Sequence, residues 1–283
     1  MKRILLFGSI GQIGGELQPL LRTMGEVVAP APEEADFRQP ESLREVVRRE
    51  RPDAIVNAAA YTNVDGAERE PALSFAINAE APRVLAEAAA GQGAIFIHYS
   101  TDYVFDGRSS RPYREDDPTG PLNAYGRDKL AGERGVLASG GRAVVLRTSW
   151  IYGMRGQNFL LTVRRLAGEG KPLRIVSDQV GAPTWCRSVA EGTAEVLRQA
   201  MAGPVSEWGL FHMTCGGVTN WCEFARAFLP AGTPVEAIRT EEFPRPAARP
   251  GYSVLDNAKL SRVFGVRLAS WEAALRACLA TER

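Results

Sequence analysis

Histidine is nearly absent from this chain: His98 and His212 are the only two in 283 residues. That scarcity disfavours a His-rich metal centre and a Ser-His-Asp hydrolase. His98 lies inside the apolar run AIFIHY and reads as a satisfied core residue. Cysteine is also sparse. Cys186, Cys215, Cys222 and Cys278 have no C-x-x-C or zinc-ligand spacing, so reduced thiols are expected rather than disulfides. No apolar run approaches the ~18 residues of a membrane span. The start, KRILLFG, enters a strand at once and lacks the pattern of a signal peptide, so a cytoplasmic protein is expected. With a net charge of +1, nothing draws the whole chain to nucleic acid or an anionic membrane.

What is present is an ordinary globular composition, 45% hydrophobic and 24% charged, in a chain long enough for one large α/β domain or a domain plus a smaller lobe. Short apolar runs alternate with helical patterns. Strands are expected at 3–7, 26–29, 53–57, 94–99 and 143–149. Helices are expected at 11–23, 41–50, 71–90 and 122–139. This order predicts a Rossmann-type, doubly wound parallel sheet with helices on both faces. Residues 1–150 form the expected dinucleotide-binding domain. Beyond Trp150, Gly and Pro become frequent. Helices near 157–169, 187–201, 220–228, 256–264 and 270–281 and strands near 173–176 and 209–214 are separated by irregular stretches, with 230–253 rich in loop. Residues 151–283 are therefore expected to be mainly a substrate-binding lobe. It would interleave with the first domain and return strands to it.

Gly8-Ser-Ile-Gly11-Gln-Ile-Gly14 follows the first strand and opens a helix. Glycines there permit a tight turn and close approach to a pyrophosphate, and a helix N-terminus supplies N–H donors and a favourable dipole. The end of the second strand, Val27-Val28-Ala29-Pro30, carries neither the acid that usually holds a ribose 2′-OH nor an Arg for a 2′-phosphate. Asp36 and Phe37 follow and are placed on the adenine side.

Tyr125 and Lys129 stand four apart, which puts phenol and ammonium on one face of a helix. Ser100, Thr101 and Asp102 emerge where the fourth strand ends, the edge at which open α/β sheets bind ligands. A hydroxyl, a phenol and an ammonium meeting there suit protonation of a carbonyl oxygen as a hydride reaches its carbon.

Together, the G-x-x-G-x-x-G loop, Asn57-Ala58-Ala59-Ala60, the strand-end Ser/Thr and the Tyr-x-x-x-Lys helix resemble the extended short-chain dehydrogenase/reductase family. PDAIVNAAAYTNVDGAE, STDYVFDG, NAYGRDKLAGE, RTSWIYG, NFLLTV, VSDQVGAPT and RPGYSVLD resemble its dTDP-4-dehydrorhamnose reductase branch, in order across nearly the whole chain. The resemblance implies NADPH- or NADH-dependent reduction of the C4 ketone of dTDP-6-deoxy-L-lyxo-4-hexulose to dTDP-L-rhamnose. It implies Thr101, Tyr125 and Lys129 as the catalytic trio. Gly8, Gln12, Ile13 and Gly14 would line the pyrophosphate, and Ala58, Ala59 and Tyr61 would flank the cofactor. Asp102, Tyr103, Trp150, Asn158, Gln179 and Arg249 would face the nucleotide sugar, with Arg249 as a diphosphate clamp and Ser253 and Asp256 as weaker candidates.

Three alternatives stand beside this. Nucleotide-sugar 4,6-dehydratases place Asp-Glu after the catalytic Thr, whereas Asp102-Tyr103 follows Thr101 here, which argues against elimination; a related epimerase would retain its cofactor. The methionine adenosyltransferase regulatory subunit resembles the same branch, and an intact trio favours an enzyme over such a binding module. A differently substituted nucleotide-keto-sugar is the third, because base and stereochemistry depend on pocket shape. A monomer or homodimer is expected. With Glu272 and Glu282 the only acids in and beside the last helix, no metal requirement is expected. Lacking a 2′ discriminator, the protein should bind NADH and NADPH with affinities within about a hundredfold, some 2.7 kcal/mol, in a fluorescence titration.

Overall fold

The computed structural model describes residues 1–282. In its first half the chain runs β1 (Arg3–Phe7), α1 (Gln12–Arg22), β2 (Glu26–Val28), α2 (Ser42–Glu50), β3 (Ala54–Asn57), α3 (Val64–Arg69) and α4 (Pro71–Phe75). A π-helical turn (Ala76–Glu80), α5 (Ala81–Gly91), β4 (Ile95–Thr101), α6 (Ala124–Ala138) and β5 (Arg142–Thr148) follow. The second half adds β6 (Ile151–Tyr152), α7 (Phe159–Gly168), β7 (Leu173–Val176), β8 (Val180–Gly181), β9 (Thr184–Trp185) and α8 (Cys186–Ala202). It ends with β10 (Gly209–His212), β11 (Thr219–Asn220), α9 (Trp221–Phe228), β12 (Val235–Ile238), α10 (Ala258–Phe264) and α11 (Trp271–Ala280).

The central sheet is parallel, with order β10-β5-β4-β3-β1-β2. Successive side chains on a strand point to opposite faces. Ile4, Leu6, Val56, Ile97 and Leu146 accordingly pack against Leu17 and Leu21 of α1 and Val189 and Leu197 of α8. Leu5, Phe7, Ile55, Phe96 and Val145 pack against Leu43 and Val47 of α2, Leu85 of α5 and Val136 of α6. Coverage of both faces is why these strands read as unbroken apolar runs. A separate core of Tyr152, Leu160, Trp185, Phe224 and Trp271 sits in the second half.

Three of the predicted stretches take a different form, and α3, β6, β8, β9 and β11 add short elements beyond those expected. The strand predicted over 209–214 is β10, shorter, and it pairs with β5 to extend the main sheet. Within 230–253, Val235–Ile238 pair in parallel with Leu173–Val176, so that stretch is only partly loop. The single helix predicted over 71–90 is interrupted by the π-helical turn. Pro82 has no N–H to offer the Asn78 carbonyl, which relaxes regular helical bonding there. The Asn78 side chain instead grips the loop after β3, accepting from the Tyr61 N–H (3.0 Å) and donating to the Tyr61 carbonyl (2.9 Å).

Arg147 of β5 and Glu133 of α6 form a buried bidentate pair at 2.8 and 2.7 Å, with the guanidinium over the Phe105 ring. Burying two charges is tolerable because each satisfies the other; removing one strands its partner. Glu133→Leu alone should cost about 3–5 kcal/mol in urea unfolding, and the Glu133→Leu/Arg147→Met double variant markedly less. Equal losses would contradict the pairing.

Candidate active site

The carboxyl edge of the sheet opens into a cavity of about 830 Å³. The glycine loop forms one wall. Gly8 has φ +76°, and a Cβ there would lie 2.6 Å from the Ala58 backbone. A Cβ on Gly14 would overlap the Gly8 carbonyl. Only glycine fits this turn, which brings Gly8, Gly11, Gln12 and Ile13 to the cavity with Ala58 and Ala59 beside them. The N-terminus of α1, starting at Gln12, is aimed the same way.

The chain between β2 and α2 folds back so that Asp36, Phe37 and Arg38 line the cavity with Ala29 and Pro30. Arg38 grips the Asp36 carboxylate through Nε (2.8 Å) and Nη2 (2.9 Å), and this hydrogen bonding holds the carboxyl below its ordinary range. An acid and an arginine therefore share the wall that the end of β2 itself leaves apolar. Phe37 packs edge-on against Phe7 at 5.5 Å.

The groups expected to react come from β4 and α6. Asn123 caps α6 by accepting from the Gly126 N–H (2.8 Å), and its Nδ2 donates to the Ala248 carbonyl. Tyr125, partly exposed, and Lys129, 2% exposed, both face the cavity. Lys129 Nζ lies 2.6 Å from the Tyr99 carbonyl and 3.3 Å from His98 Nε2. Burial lowers its pKa to about 8, against the pull of Glu133. Burial and the Asp102 charge push the Tyr125 phenol well above its ordinary value, with the neighbouring Thr101 hydroxyl acting the other way. Thr101 Oγ1 donates to Asp102 Oδ1 (3.0 Å) and accepts from the Tyr103 N–H (3.1 Å). The Tyr103 ring stands edge-on to Tyr125 at 5.8 Å.

Other expected site residues sit differently. Tyr61 turns its phenol onto Glu70 (2.6 Å). Asn158 caps α7 and donates to Gln12 Oε1 (3.0 Å) and the Gly153 carbonyl (3.0 Å), tying the second half to the glycine loop. Gln179 donates to Thr240 Oγ1. Arg249 pairs with Asp65 at 3.0 Å, which Arg245 also grips at 2.9 Å. Trp150 stacks on Trp221 with ring centres 3.6 Å apart, and its backbone holds φ +48°. Left-handed backbone is costly for a bulky residue and persists where surrounding structure enforces it. Two cavity-lining residues were not picked out by sequence reasoning, Arg38 and Thr148, and Ser100 was read only as part of the strand end. Ser100 and Thr148 lie in the cavity wall at strand ends, each with a buried hydroxyl lacking any protein partner. Their signal is the small polar residue closing an apolar strand.

A glycine turn, a strand-end hydroxyl and a Tyr-x-x-x-Lys helix converging on one cleft define the short-chain dehydrogenase/reductase class. The chain matches the RmlD substrate binding domain family model over residues 1–283 and belongs to that family. It is 46% identical to a dTDP-4-dehydrorhamnose reductase of Burkholderia thailandensis, covering 98% of each chain. It superimposes on the crystal structure of a Clostridium acetobutylicum dTDP-4-dehydrorhamnose reductase with TM-score 0.92 at 36% identity, covering 99% of each chain. The Bacillus anthracis dTDP-4-dehydrorhamnose reductase in complex with NADP aligns with TM-score 0.90 at 33% identity, over 99% of this chain and all of that one.

Asp102 is 2% exposed, and burial raises its carboxyl from 3.8 to about 6, opposed by Ser253 and Thr101. A raised acid is protonated more readily folded than unfolded. Wild-type stability relative to Asp102→Asn should therefore improve as pH falls from 7 to 4, by up to about 3 kcal/mol. Urea denaturation of both proteins across that range checks the sign.

Proposed function

We propose that the protein reduces the C4 ketone of dTDP-4-dehydro-6-deoxy-L-mannose to dTDP-L-rhamnose with NADPH or NADH, the last step in making that activated sugar. The observation that carries this is the full-length family match together with Tyr125 and Lys129 gathered on one cavity, with Thr101 ending β4 directly after Ser100, which lines it. Residues 1–150 are the dinucleotide-binding domain, with β10 and α8 returning to it, and 151–283 are mainly the substrate lobe. The site acts in the cytoplasm, in a monomer or homodimer. Among the described residues no helix is long and apolar enough to cross a membrane.

The residues present fit a dinucleotide. Gly8, Gly11, Gln12 and Ile13 line the cavity where α1 begins, and Ser100 and Thr148 offer buried hydroxyls with no protein partner. Gly8, Gly11, Gln12, Ile13 and Gly14 would hold the pyrophosphate, Asp36 and Phe37 the adenine side, and Ala58 and Ala59 the middle of the molecule. When bound, the nicotinamide supplies the hydride.

The protein's own part is proton delivery and orientation. At neutral pH burial keeps Tyr125 a phenol, with a proton to give to the oxygen of the ketone as negative charge develops there. Lys129 lies on the same helix face, where a positive charge would ease that transfer. Thr101 would hold the same oxygen, its hydroxyl rotating away from Asp102 to donate. Asp102 and Tyr103 shape the pocket next to it. Residue 103 is a tyrosine where a dehydratase carries its second acid, so the site lacks the carboxylate pair that elimination needs.

Tyr125→Phe should lower turnover about 10²–10⁴-fold, the scale of general acid–base catalysis, with cofactor affinity nearly unchanged. Product formation from the dTDP-keto sugar and NADPH, followed by chromatography, checks this; near-wild-type turnover would refute the assignment.

A further inference from the structure

His98 plays no part in the steps above, yet it touches Lys129. It is 1% exposed, and burial holds its pKa well below the ordinary histidine value, so the ring is neutral. A neutral imidazole carries one N–H, so its two nitrogens cannot both donate. Asn57 decides which one does. Its Oδ1 accepts the Ala59 N–H at 3.1 Å, which leaves Nδ2 facing His98 Nδ1 at 3.2 Å. An amide nitrogen only donates, so Nδ1 accepts and is bare. The ring proton is then on Nε2, 3.3 Å from Lys129 Nζ.

An ammonium also only donates, and two N–H groups facing each other repel; an amine has a lone pair to accept with. The Tyr99 carbonyl, at 2.6 Å, takes an N–H from either form. Of the other ionisable groups, Glu133 on α6 acts on Lys129, and Tyr125 lies one turn before it on the same helix. Glu133 is already matched by Arg147 of β5. The Asn57 carbonyl is the competing acceptor on the Nδ1 side and favours the opposite sense, but it forms no aligned hydrogen bond with the ring.

Resting on the reading of Tyr125 and Lys129 as the reacting pair, we infer that His98 is a positioning residue: its tautomer, dictated by Asn57, favours the amine form of Lys129 in the cofactor-free protein. Lys129 then takes a proton from solvent onto Nζ when a dinucleotide arrives, because the phosphates bring negative charge and the ribose hydroxyls bring acceptors. The lowering of the Lys129 pKa to about 8 by burial acts in the same direction.

With two histidines in the chain, the test is direct. Long-range ¹H–¹⁵N spectra of ¹⁵N-histidine-labelled, cofactor-free wild-type protein at alkaline pH should show His98 protonated at Nε2 and bare at Nδ1. Proton on Nδ1 overturns the inference, whatever the enzyme's activity. Calorimetric titration of NADPH at the same pH, in buffers of different ionisation enthalpy, should show uptake approaching about one proton per NADPH. In Asn57→Asp the second carboxylate oxygen would accept Nδ1–H, turn Nε2 into an acceptor for the ammonium, and bring uptake close to zero. Unchanged uptake in that variant overturns the inference as well. A protein with the Nε2–H tautomer but no turnover would refute the assigned reaction and leave this inference standing.

Discussion

Seating the Lys129 head group against the carboxyl edge of β4 is the constraint on which the site depends. An ionisable group at 2% exposure needs partners close by, and the Tyr99 carbonyl and His98 are those partners. They are reached only if α6 lies very near the sheet and its neighbours. Glycines make that approach possible. A side chain on Gly126 would strike the Tyr103 carbonyl, and one on Gly132 the Asn78 carbonyl in the π-helical turn. The same turn frees the Asn78 side chain to shape the loop after β3. The glycines of NAYGRDKLAGE thus serve the seating of Lys129 as much as the helix itself.

The two halves of the chain are locked together around this centre. Asn158 reaches Gln12 at the glycine loop, Asn123 holds the Ala248 carbonyl, and Asp65 collects Arg245 and Arg249. Those contacts give Arg249 a carboxylate partner on the α3 side. A diphosphate substrate would have to compete with Asp65 for it. Trp150, stacked on Trp221 with a left-handed backbone, marks the point where the chain leaves the sheet for the second half.

Much of this was legible in the sequence because it rests on local rules. Tyr125 and Lys129 share a helix face by spacing, Thr101 ends a strand that is apolar throughout, and Gly8 and Gly14 announce a turn that admits no side chain. The rest depends on distant parts of the chain. Arg38 lies ten residues past β2, and only the return of the 29–41 loop sets it beside Ala29. Asn158 looks like a binding residue until its side chain is seen capping α7. β12 is a four-residue strand whose partner, β7, lies some sixty residues upstream, so no local pattern declares it. His98 reads correctly as a core histidine, but only its contacts with Asn57 and Lys129 show what the burial is for.

The account rests on carbonyl reduction at one carbon of a nucleotide sugar. The most direct measurement follows the hydrogen. The dTDP-keto sugar is incubated with this protein and NADPH carrying deuterium at the transferable C4 position, and the product is read by NMR. The account predicts dTDP-L-rhamnose with deuterium at C4 of the sugar, formed in step with oxidised cofactor. A product without deuterium at that carbon, or turnover without net cofactor oxidation, would contradict it.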